Sequence, residues 1–219
     1  MNASSKVIIA IDGPAASGKG TLARRLAAHL GLRYLDTGSL YRAIGLTVLK
    51  AGQDPANEAQ ALAAAKILNL DAFSSEELRS EAAGVAASHV AFLKPVRAEL
   101  LDFQRKFAEE PGPDVKGAIL DGRDIGTVVC KDTADVKIFV EASLETRIQR
   151  RIKELQDRGE SFKERHVQAD MEARDKRDRD RSVAPLKPAD DAWLLDTSTL
   201  NADEAFAVAL AHIQETGTL

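Results

Sequence analysis

The residue types best suited to chemistry form a glycine-rich loop near the start of the sequence, Gly13-Pro14-Ala15-Ala16-Ser17-Gly18-Lys19-Gly20-Thr21. An apolar run at residues 7–11 precedes this loop and an amphipathic stretch follows it, so we expect a strand, a turn and a helix in that order. Glycines at both ends of the G-x-x-x-x-G-K pattern allow successive backbone N–H groups to turn inward and hold phosphate oxygens at the helix N-terminus. Lys19 can then reach the outer phosphates of a nucleoside triphosphate.

This glycine-rich loop departs from the strict pattern in one detail. Gly20 follows the lysine, and the hydroxyl comes one position later, at Thr21. The alternative for a bare match of this kind is an ordinary strand-to-helix turn that carries a surface lysine. Because a strand and a helix flank the loop as the phosphate-binding motif requires, we expect residues 13–21 to bind a triphosphate.

A second candidate for anion binding is the run of alternating charges at residues 174–181. In a helix, Arg174, Asp178 and Arg181 fall on one side with Arg177 beside them. Upstream apolar residues lie on the same side, which indicates that this side faces inward. The opposite side carries two i,i+4 pairs that can neutralise each other, Asp175–Arg179 and Lys176–Asp180. This pattern predicts an inward face with three arginines and one carboxylate.

A helix so rich in charge is often only a solvated surface. Here the excess of arginine falls on the inward side, and the planar guanidinium group can bond two phosphate oxygens at once. More arginines follow the predicted second, third and fourth strands: Arg42, Arg123, Arg147, Arg150 and Arg151. Several arginines at strand ends, beside a phosphate loop, suggest a site for more than one phosphorylated molecule.

Phosphoryl transfer requires positioning and charge stabilisation more than covalent chemistry. A phosphate acceptor already carries an anionic oxygen and needs no general base, but two polyanions must be brought together, which calls for many arginines. A kinase acting on a sugar or shikimate hydroxyl would need a carboxylate base and fewer cations. The arginine surplus therefore favours a nucleoside monophosphate as the acceptor.

Two classes outside the kinases fit the sequence poorly. A GTPase switch would carry an Asn-Lys-x-Asp run, which the sequence lacks, and its one D-x-x-G match, at residues 114–117, precedes the third predicted strand instead of following it. A nucleic-acid-binding module is disfavoured because the formal net charge is -4 and aromatic residues make up only 5% of the chain.

Composition indicates a globular protein with one domain and room for a small insert, since 44% of the 219 residues are hydrophobic and 29% are charged. The single cysteine, Cys130, excludes an internal disulfide and is expected in or near the core. The sequence shows no membrane-spanning stretch and no signal-peptide core, so we expect a cytoplasmic protein that binds neither membranes nor nucleic acid.

Five predicted strands alternate with helices, which indicates an α/β fold with a parallel sheet and right-handed crossovers. The strands are expected at residues 7–11, 32–35, 117–120, 136–140 and 192–196. Between the second and third strands we expect helices at 40–50, 59–68, 76–92 with an interruption at Gly84, and 96–107, with an extended piece at 69–73. Ser143 is expected to cap the helix that follows the fourth strand, and a charged helix is expected at 163–181.

Four segments together resemble the bacterial cytidylate kinases, a family of P-loop nucleoside monophosphate kinases. They are residues 11–21, the stretch Leu35-Asp36-Thr37-Gly38-Ser39-Leu40-Tyr41-Arg42, the stretch Asp121-Gly122-Arg123-Asp124-Ile125-Gly126-Thr127-Val128-Val129, and residues 177–186. The segments occur in the family's order and span nearly the whole chain. The resemblance implies the P-loop NTPase three-layer fold and the transfer of the γ-phosphoryl group of ATP to CMP or dCMP, with Mg²⁺ as MgATP.

The resemblance also implies roles for particular residues. Thr37, Arg42 and Arg123 would hold the phosphate of CMP. Cytosine would be read by Ser88, Arg97 and Asp124, the last being a suitable acceptor for the N4 amino group. Arg174 and Asp178 would approach the sugar, and Arg181 would bridge the reacting phosphates. Lys19, Arg123, Arg174 and Arg181 are therefore the expected catalytic residues, and Arg150 and Arg151 are expected to join the loop in binding ATP.

We expect one P-loop kinase domain over residues 1–219, acting as a monomer without a protein-bound metal centre. Its core would comprise about 1–36, 115–155 and 182–219, its CMP-binding part about 37–114, and its lid with the arginine-rich helix about 156–181. Many members of the family carry a longer insert with a small sheet in the CMP-binding part. In this sequence residues 73–77 lead almost directly to the helix that carries Ser88, so that sheet is expected to be reduced or absent.

Overall fold

The computed structural model describes residues 6–218 and contains one five-stranded sheet with the strand order β2-β3-β1-β4-β5. The strands are β1 (Val7–Asp12), β2 (Arg33–Asp36), β3 (Gly117–Gly122), β4 (Val136–Glu141) and β5 (Trp193–Asp196). The sheet is parallel: β1 pairs with β3 from Val7 opposite Gly117, and β4 pairs with both β1 and β5. This arrangement confirms the predicted α/β fold class and the position of all five strands.

The described part of the chain contains nine α-helices. They are α1 (Lys19–Leu30), α2 (Thr37–Lys50), α3 (Glu58–Lys66), α4 (Ser75–Arg79), α5 (Glu81–Val90), α6 (Lys94–Glu109), α7 (Leu144–Asp157), α8 (Glu164–Asp180) and α9 (Ala202–Glu215). As predicted, the side chain of Ser143 caps α7 by accepting the backbone N–H of Thr146 at 3.1 Å. Between residues 6 and 218, no helix combines the length and apolarity needed to cross a bilayer.

The chain divides into two compact units. The first unit contains the described residues up to Leu35 and from Ala108 onward, and the second unit is Asp36–Phe107. In the first unit, alternate residues of the central strands, such as Ile9, Ile11 and Ile138, pack against α1 and α9. Cys130 is buried in this unit, as expected. A smaller cluster, Ile152 and Leu155 of α7 with Val167 and Met171 of α8, joins these two helices.

The second unit is helical and has a core of its own. Leu40, Ile44 and Val48 of α2 form an apolar stripe with i,i+4 spacing, and it packs against alanines of α3 and α5 and the first turns of α6. The small alanine side chains let the helices approach closely. No strand other than the last residue of β2 lies in this unit, as the prediction of a reduced or absent small sheet anticipated.

Three local predictions were wrong. Residues 69–73 are not extended: Leu70–Ala72 form a 3-10 helix, because the Asn69 side chain accepts the N–H of Asp71 at 3.0 Å. The helix expected at 76–92 is broken at Ser80, not at Gly84, since Ser80 ends α4 and caps α5 through the N–H of Ala83. After β3, Ile125–Val129 form a short π-helix that the sequence pattern does not reveal.

Candidate active site

The glycine-rich loop connects β1 to the N-terminus of α1, as predicted. Gly13 has a φ of 153°, and a Cβ at this position would overlap the carbonyl oxygen of Val140 in the neighbouring strand, so no larger residue fits. Ala16 is in the left-handed region with a φ of 58°, a conformation that costs a residue with a side chain about 1–3 kcal/mol unless the surroundings enforce it. Strain of this kind at a loop that begins a helix is typical of a ligand-binding segment.

Of the two α7 arginines predicted to bind ATP, Arg150 and Arg151, only Arg150 contacts a carbonyl oxygen of this loop. Arg150 donates from Nη1 to the carbonyl oxygen of Ser17 at 3.2 Å and to the Thr197 hydroxyl at 3.0 Å, while its Nη2 donates to the carbonyl oxygens of Thr197 and Leu200. Burial lowers the pKa of Arg150, partly offset by the charge of Asp196. Arg151 pairs with Glu154 at 2.9 Å. Both arginines, predicted to bind ATP, therefore have protein partners, and Arg150 directly supports the loop.

Asp12, the last residue of β1, is buried next to the glycine-rich loop. Its two carboxylate oxygens accept the backbone N–H groups of Ile125 at 2.8 Å and Gly126 at 2.7 Å, which are the first residues of the π-helix. Burial raises the pKa of Asp12 from 3.8 to about 7, although the two hydrogen bonds oppose this shift. The contact ties the start of the loop to the segment that carries Arg123 and Asp124.

The arginine-rich run forms the last part of α8 and surrounds one buried carboxylate, Asp178. Arg123 donates from Nε to Asp178 at 2.9 Å, and Arg181 approaches the other carboxylate oxygen at 3.9 Å. Burial alone would raise the pKa of Asp178, but the positive charges of Arg123, Arg174 and Arg181 together hold it below its usual value. The structure thus brings together four of the predicted site residues, three of which are expected to be catalytic.

Two predictions about this helix need correction. Asp175 does not lie on the solvent side: only 4% of it is exposed, and its carboxylate binds Arg147 of α7 at 2.6 and 3.1 Å, while Arg179 is 3.7 Å away. The inward face therefore carries two carboxylates, not one. Arg181 lies just beyond the helix, because its ψ of 129° ends the helical backbone.

Arg147 and Asp175 are the paired residues that sequence reasoning missed, although a signal was present. Arg147 lies three residues after Leu144 and one before Ile148, within the inward apolar stripe of α7. Asp175 lies four residues after the buried Met171. A charged residue in an apolar stripe must find a buried partner, so the two positions point to each other.

A third polar contact lies at the end of β3. The Tyr34 hydroxyl donates to Oδ2 of Asp121 at 2.7 Å, and Asp121 is buried. A Cβ on Gly20 would come within 3.2 Å of the same carboxylate oxygen. The glycine after Lys19 therefore leaves room for this carboxylate beside the start of α1.

The remaining predicted residues lie in the second unit. Thr37 is the first residue of α2 and is buried, and Arg42 of the same helix donates to the carbonyl oxygen of Leu78 at 3.4 Å. On α5, Ser88 is buried and its hydroxyl donates to the carbonyl oxygen of Val85 at 2.8 Å. Arg97 of α6 is buried, with its guanidinium 5.7 Å from the centre of the Tyr41 ring.

Comparison with known proteins identifies the family. The cytidylate kinase family model matches residues 9–215. A cytidylate kinase of Paramagnetospirillum magneticum is 60% identical over 206 residues, covering 94% of this chain and 97% of the relative. Another from Rhodospirillum rubrum is 55% identical, covering 93% and 95% of the two chains. An uncharacterized protein from Eubacterium ventriosum, of known crystal structure, shares the fold at a TM-score of 0.57 and 15% identity, covering 95% of this chain and 99% of that one. This chain belongs to the cytidylate kinase family.

Proposed function

We propose that this protein transfers the γ-phosphoryl group of ATP to CMP or dCMP, giving ADP and CDP or dCDP, as part of pyrimidine nucleotide metabolism. The observation that carries the proposal is the convergence of Arg123, Arg174 and Arg181 on the buried Asp178, in the same unit as the glycine-rich loop. Three guanidinium groups around one carboxylate retain an excess of positive charge, which suits a site for two phosphorylated molecules. A phosphoryl-transfer enzyme needs such charge where the phosphates react.

In the proposed reaction, a phosphate oxygen of CMP attacks the γ-phosphorus of ATP. A bond forms between that oxygen and phosphorus, the bond from the γ-phosphorus to the β,γ-bridging oxygen breaks, and ADP leaves with the electron pair. The attacking oxygen is already anionic, so no general base is required. Lys19 and Arg181 would stabilise the charge that spreads over the transferred group, with Arg123 and Arg174 assisting.

On the donor side, backbone N–H groups of residues 13–21 would hold the phosphates of ATP. The Ser17 hydroxyl oxygen is buried and has no hydrogen-bond partner within residues 6–218, which fits a loop arranged to receive a polar ligand. Arg150 and Arg151 remain proposed ATP-binding residues. For Arg150 the proposal is contact through the guanidinium face or Nε, since both terminal nitrogens already donate to protein oxygens.

On the acceptor side, each role is carried over from the family resemblance. Thr37, Arg42 and Arg123 would hold the CMP phosphate. Arg174 and Asp178 would approach the sugar. The cytosine ring would be recognised by three residues that are all buried, Ser88, Arg97 and Asp124. Burial supports this role, because a carboxylate or hydroxyl shielded from water discriminates strongly between an amino group and a carbonyl oxygen.

Mg²⁺ would enter with ATP. No group of three or more His, Cys, Asp or Glu side chains suited to a metal ion occurs in the described residues, so the phosphates and water would supply most ligands. The Asp121 carboxylate, held by Tyr34 beside Gly20, would be available to bind the water shell. When bound, the ion neutralises charge on the β- and γ-phosphates.

Residues 156–181 would comprise the lid, at about 155–167, and the arginine-rich helix. Closure of the lid over ATP would exclude water and so suppress ATP hydrolysis. We further propose that the protein acts as a monomer in the cytoplasm and binds neither membranes nor nucleic acid.

The test is a coupled assay of ADP release with CMP, dCMP, UMP, AMP and GMP as acceptors. We expect CMP and dCMP to be the best acceptors, with UMP weaker. Activity with AMP alone would contradict the cytidylate assignment. Activity with none of the five, despite ATP binding, would favour a binding or switch role instead.

A further inference from the structure

We propose that Arg147 and Asp175 are positioning residues that connect the glycine-rich loop to the arginine-rich end of α8, so that ATP bound at the loop fixes the arginines that act on the transferred phosphoryl group. This inference rests on the proposed function. Arg147 and Asp175 form a buried pair, and neither residue is among those expected to bind ATP or CMP.

Arg147 binds Asp175 of α8 and also two backbone carbonyl oxygens outside α8. Arg147 is 3% exposed, and its Nη1 and Nη2 bind the two carboxylate oxygens of Asp175 at 3.1 and 2.6 Å. The same guanidinium donates from Nη1 to the carbonyl oxygen of Ala15 at 3.3 Å and from Nε to the carbonyl oxygen of Ala142 at 3.1 Å. One side chain therefore holds the glycine-rich loop, the residues just before α7 and the last part of α8 together.

The contact with Ala15 also sets the direction of a loop N–H group. In a trans peptide unit the carbonyl and the following N–H point in opposite directions, so fixing the Ala15 carbonyl on Arg147 turns the N–H of Ala16 to the other side. The same reasoning applies two peptide units later, where Thr197 and Arg150 bind the carbonyl oxygen of Ser17 at 2.9 and 3.2 Å and orient the N–H of Gly18. Arg147 thus holds the left-handed Ala16 in a conformation that presents a donor to phosphate.

On the other side, the pair fixes the rotation of α8. Asp175 lies between Arg174 and Asp178, and Asp178 is itself held by Arg123 at 2.9 Å. Two buried carboxylates on one helix face, each bound to an arginine from a different segment, leave α8 little freedom to turn about its axis. The last turns of α8 carry Arg174 and Arg177, and Arg181 directly follows the helix. The positions of these arginines therefore depend on the Arg147–Asp175 and Arg123–Asp178 contacts.

The test compares R147M, D175N and the double variant with the wild type. We expect each single change to lower kcat about 30-fold while KM for CMP stays within about threefold, because orientation in the transition state is lost and not ground-state binding. The double variant should be no worse than either single one, since both break the same connection. The control is R25M, which breaks the Arg25–Asp203 pair of 2.7 Å on an exposed surface and should leave kcat unchanged. A kcat within twofold of the wild type in both single variants, even with a lower melting temperature, would overturn the proposal.

A second measurement does not depend on turnover. Amide hydrogen exchange is followed in α8 and in the glycine-rich loop, with and without a non-hydrolysable ATP analogue. In the wild type and R25M, the analogue should slow exchange in both segments; in D175N it should protect the loop but no longer α8. Equal protection of α8 in the wild type and D175N would overturn the proposal. If the wild type makes no CDP, the proposed function fails, but this exchange experiment still decides whether the loop and α8 are coupled.

If R147M does not fold, R147K takes its place. Lysine keeps the positive charge but cannot bind two carboxylate oxygens and a carbonyl in one plane, so we expect a folded protein with kcat about tenfold lower. A wild-type kcat in R147K would show that charge alone suffices and would overturn the positioning role.

Discussion

Asp12 and Asp178 are two buried carboxylates of the same unit, and their surroundings move their pKa values in opposite directions. At Asp12, burial raises the pKa from 3.8 to about 7, and two backbone N–H groups offset this only in part. At Asp178, burial also acts to raise the pKa, but the charges of Arg123, Arg174 and Arg181 outweigh it and lower the pKa. The kind of partner, more than the depth of burial, decides the charge of each group.

This difference matches the work expected of each region. Near the glycine-rich loop, neutral backbone donors position the chain without adding positive charge of their own, so that Lys19 and the loop can meet the phosphates of ATP. Around Asp178, the carboxylate organises the arginines but does not neutralise them all. Asp12 is therefore held by neutral hydrogen bonds and Asp178 by charge, and three variants test that distinction.

The largest effect is expected from R181A, which removes one of the three charges around Asp178. If Arg181 has the proposed role, we expect kcat to fall about 1,000-fold, as for arginines that stabilise a transferring phosphoryl group, with KM for both nucleotides within a few-fold. Steady-state kinetics with ATP and CMP measure both quantities. Equal losses of binding and rate would mean that Arg181 has only a structural role.

An intermediate effect is expected from D178N, which leaves three arginines without their carboxylate. We expect the free energy of unfolding to fall by about 3–5 kcal/mol at neutral pH, since an uncompensated buried charge remains. Because the folded pKa of Asp178 lies below its unfolded value, this contribution is present above about pH 4 and is lost as pH falls through the folded pKa. Denaturant titrations from neutral to acidic pH should therefore show the wild type and D178N converging in acid. The control D203N changes a residue with 86% of its side chain exposed, and it should lower the free energy of unfolding by less than about 1 kcal/mol. If D178N lowers the free energy of unfolding by as little as this control does, the charge-based account is contradicted.

The smallest effect is expected from D12N, which should change how steeply the free energy of unfolding varies with pH. The folded pKa of about 7 lies above the unfolded value of 3.8, so between these values the folded protein binds a proton that the unfolded chain has released. The wild type should lose stability relative to D12N as pH rises from about 4 to 7, by at most about 1.4 kcal/mol per pH unit. Parallel stability curves for the two proteins over this range would show that Asp12 ionises as it does in the unfolded chain.

The sequence predicted the sheet well because each strand is a short apolar run bounded by turn residues. It also predicted the glycine-rich loop, whose spacing has a direct physical meaning. It failed where long-range partners decide the local structure. Asp175 looks like half of a surface pair with Arg179, and only the folded chain shows that Arg147, 28 positions earlier, takes both of its oxygens. The sequence likewise does not predict the π-helix after Asp124, because its first two N–H groups are bound by Asp12, which lies in β1.

Phosphorus NMR of the purified protein with ATP, Mg²⁺ and CMP tests the central claim most directly. If the arginines around Asp178 serve transfer between two phosphorylated nucleotides, the γ-phosphate signal of ATP should fall toward an equilibrium level as the signals of ADP and CDP grow in equal amounts. Omitting CMP should leave ATP essentially intact. Release of inorganic phosphate at the same rate with and without CMP, and no CDP signal, would contradict the account.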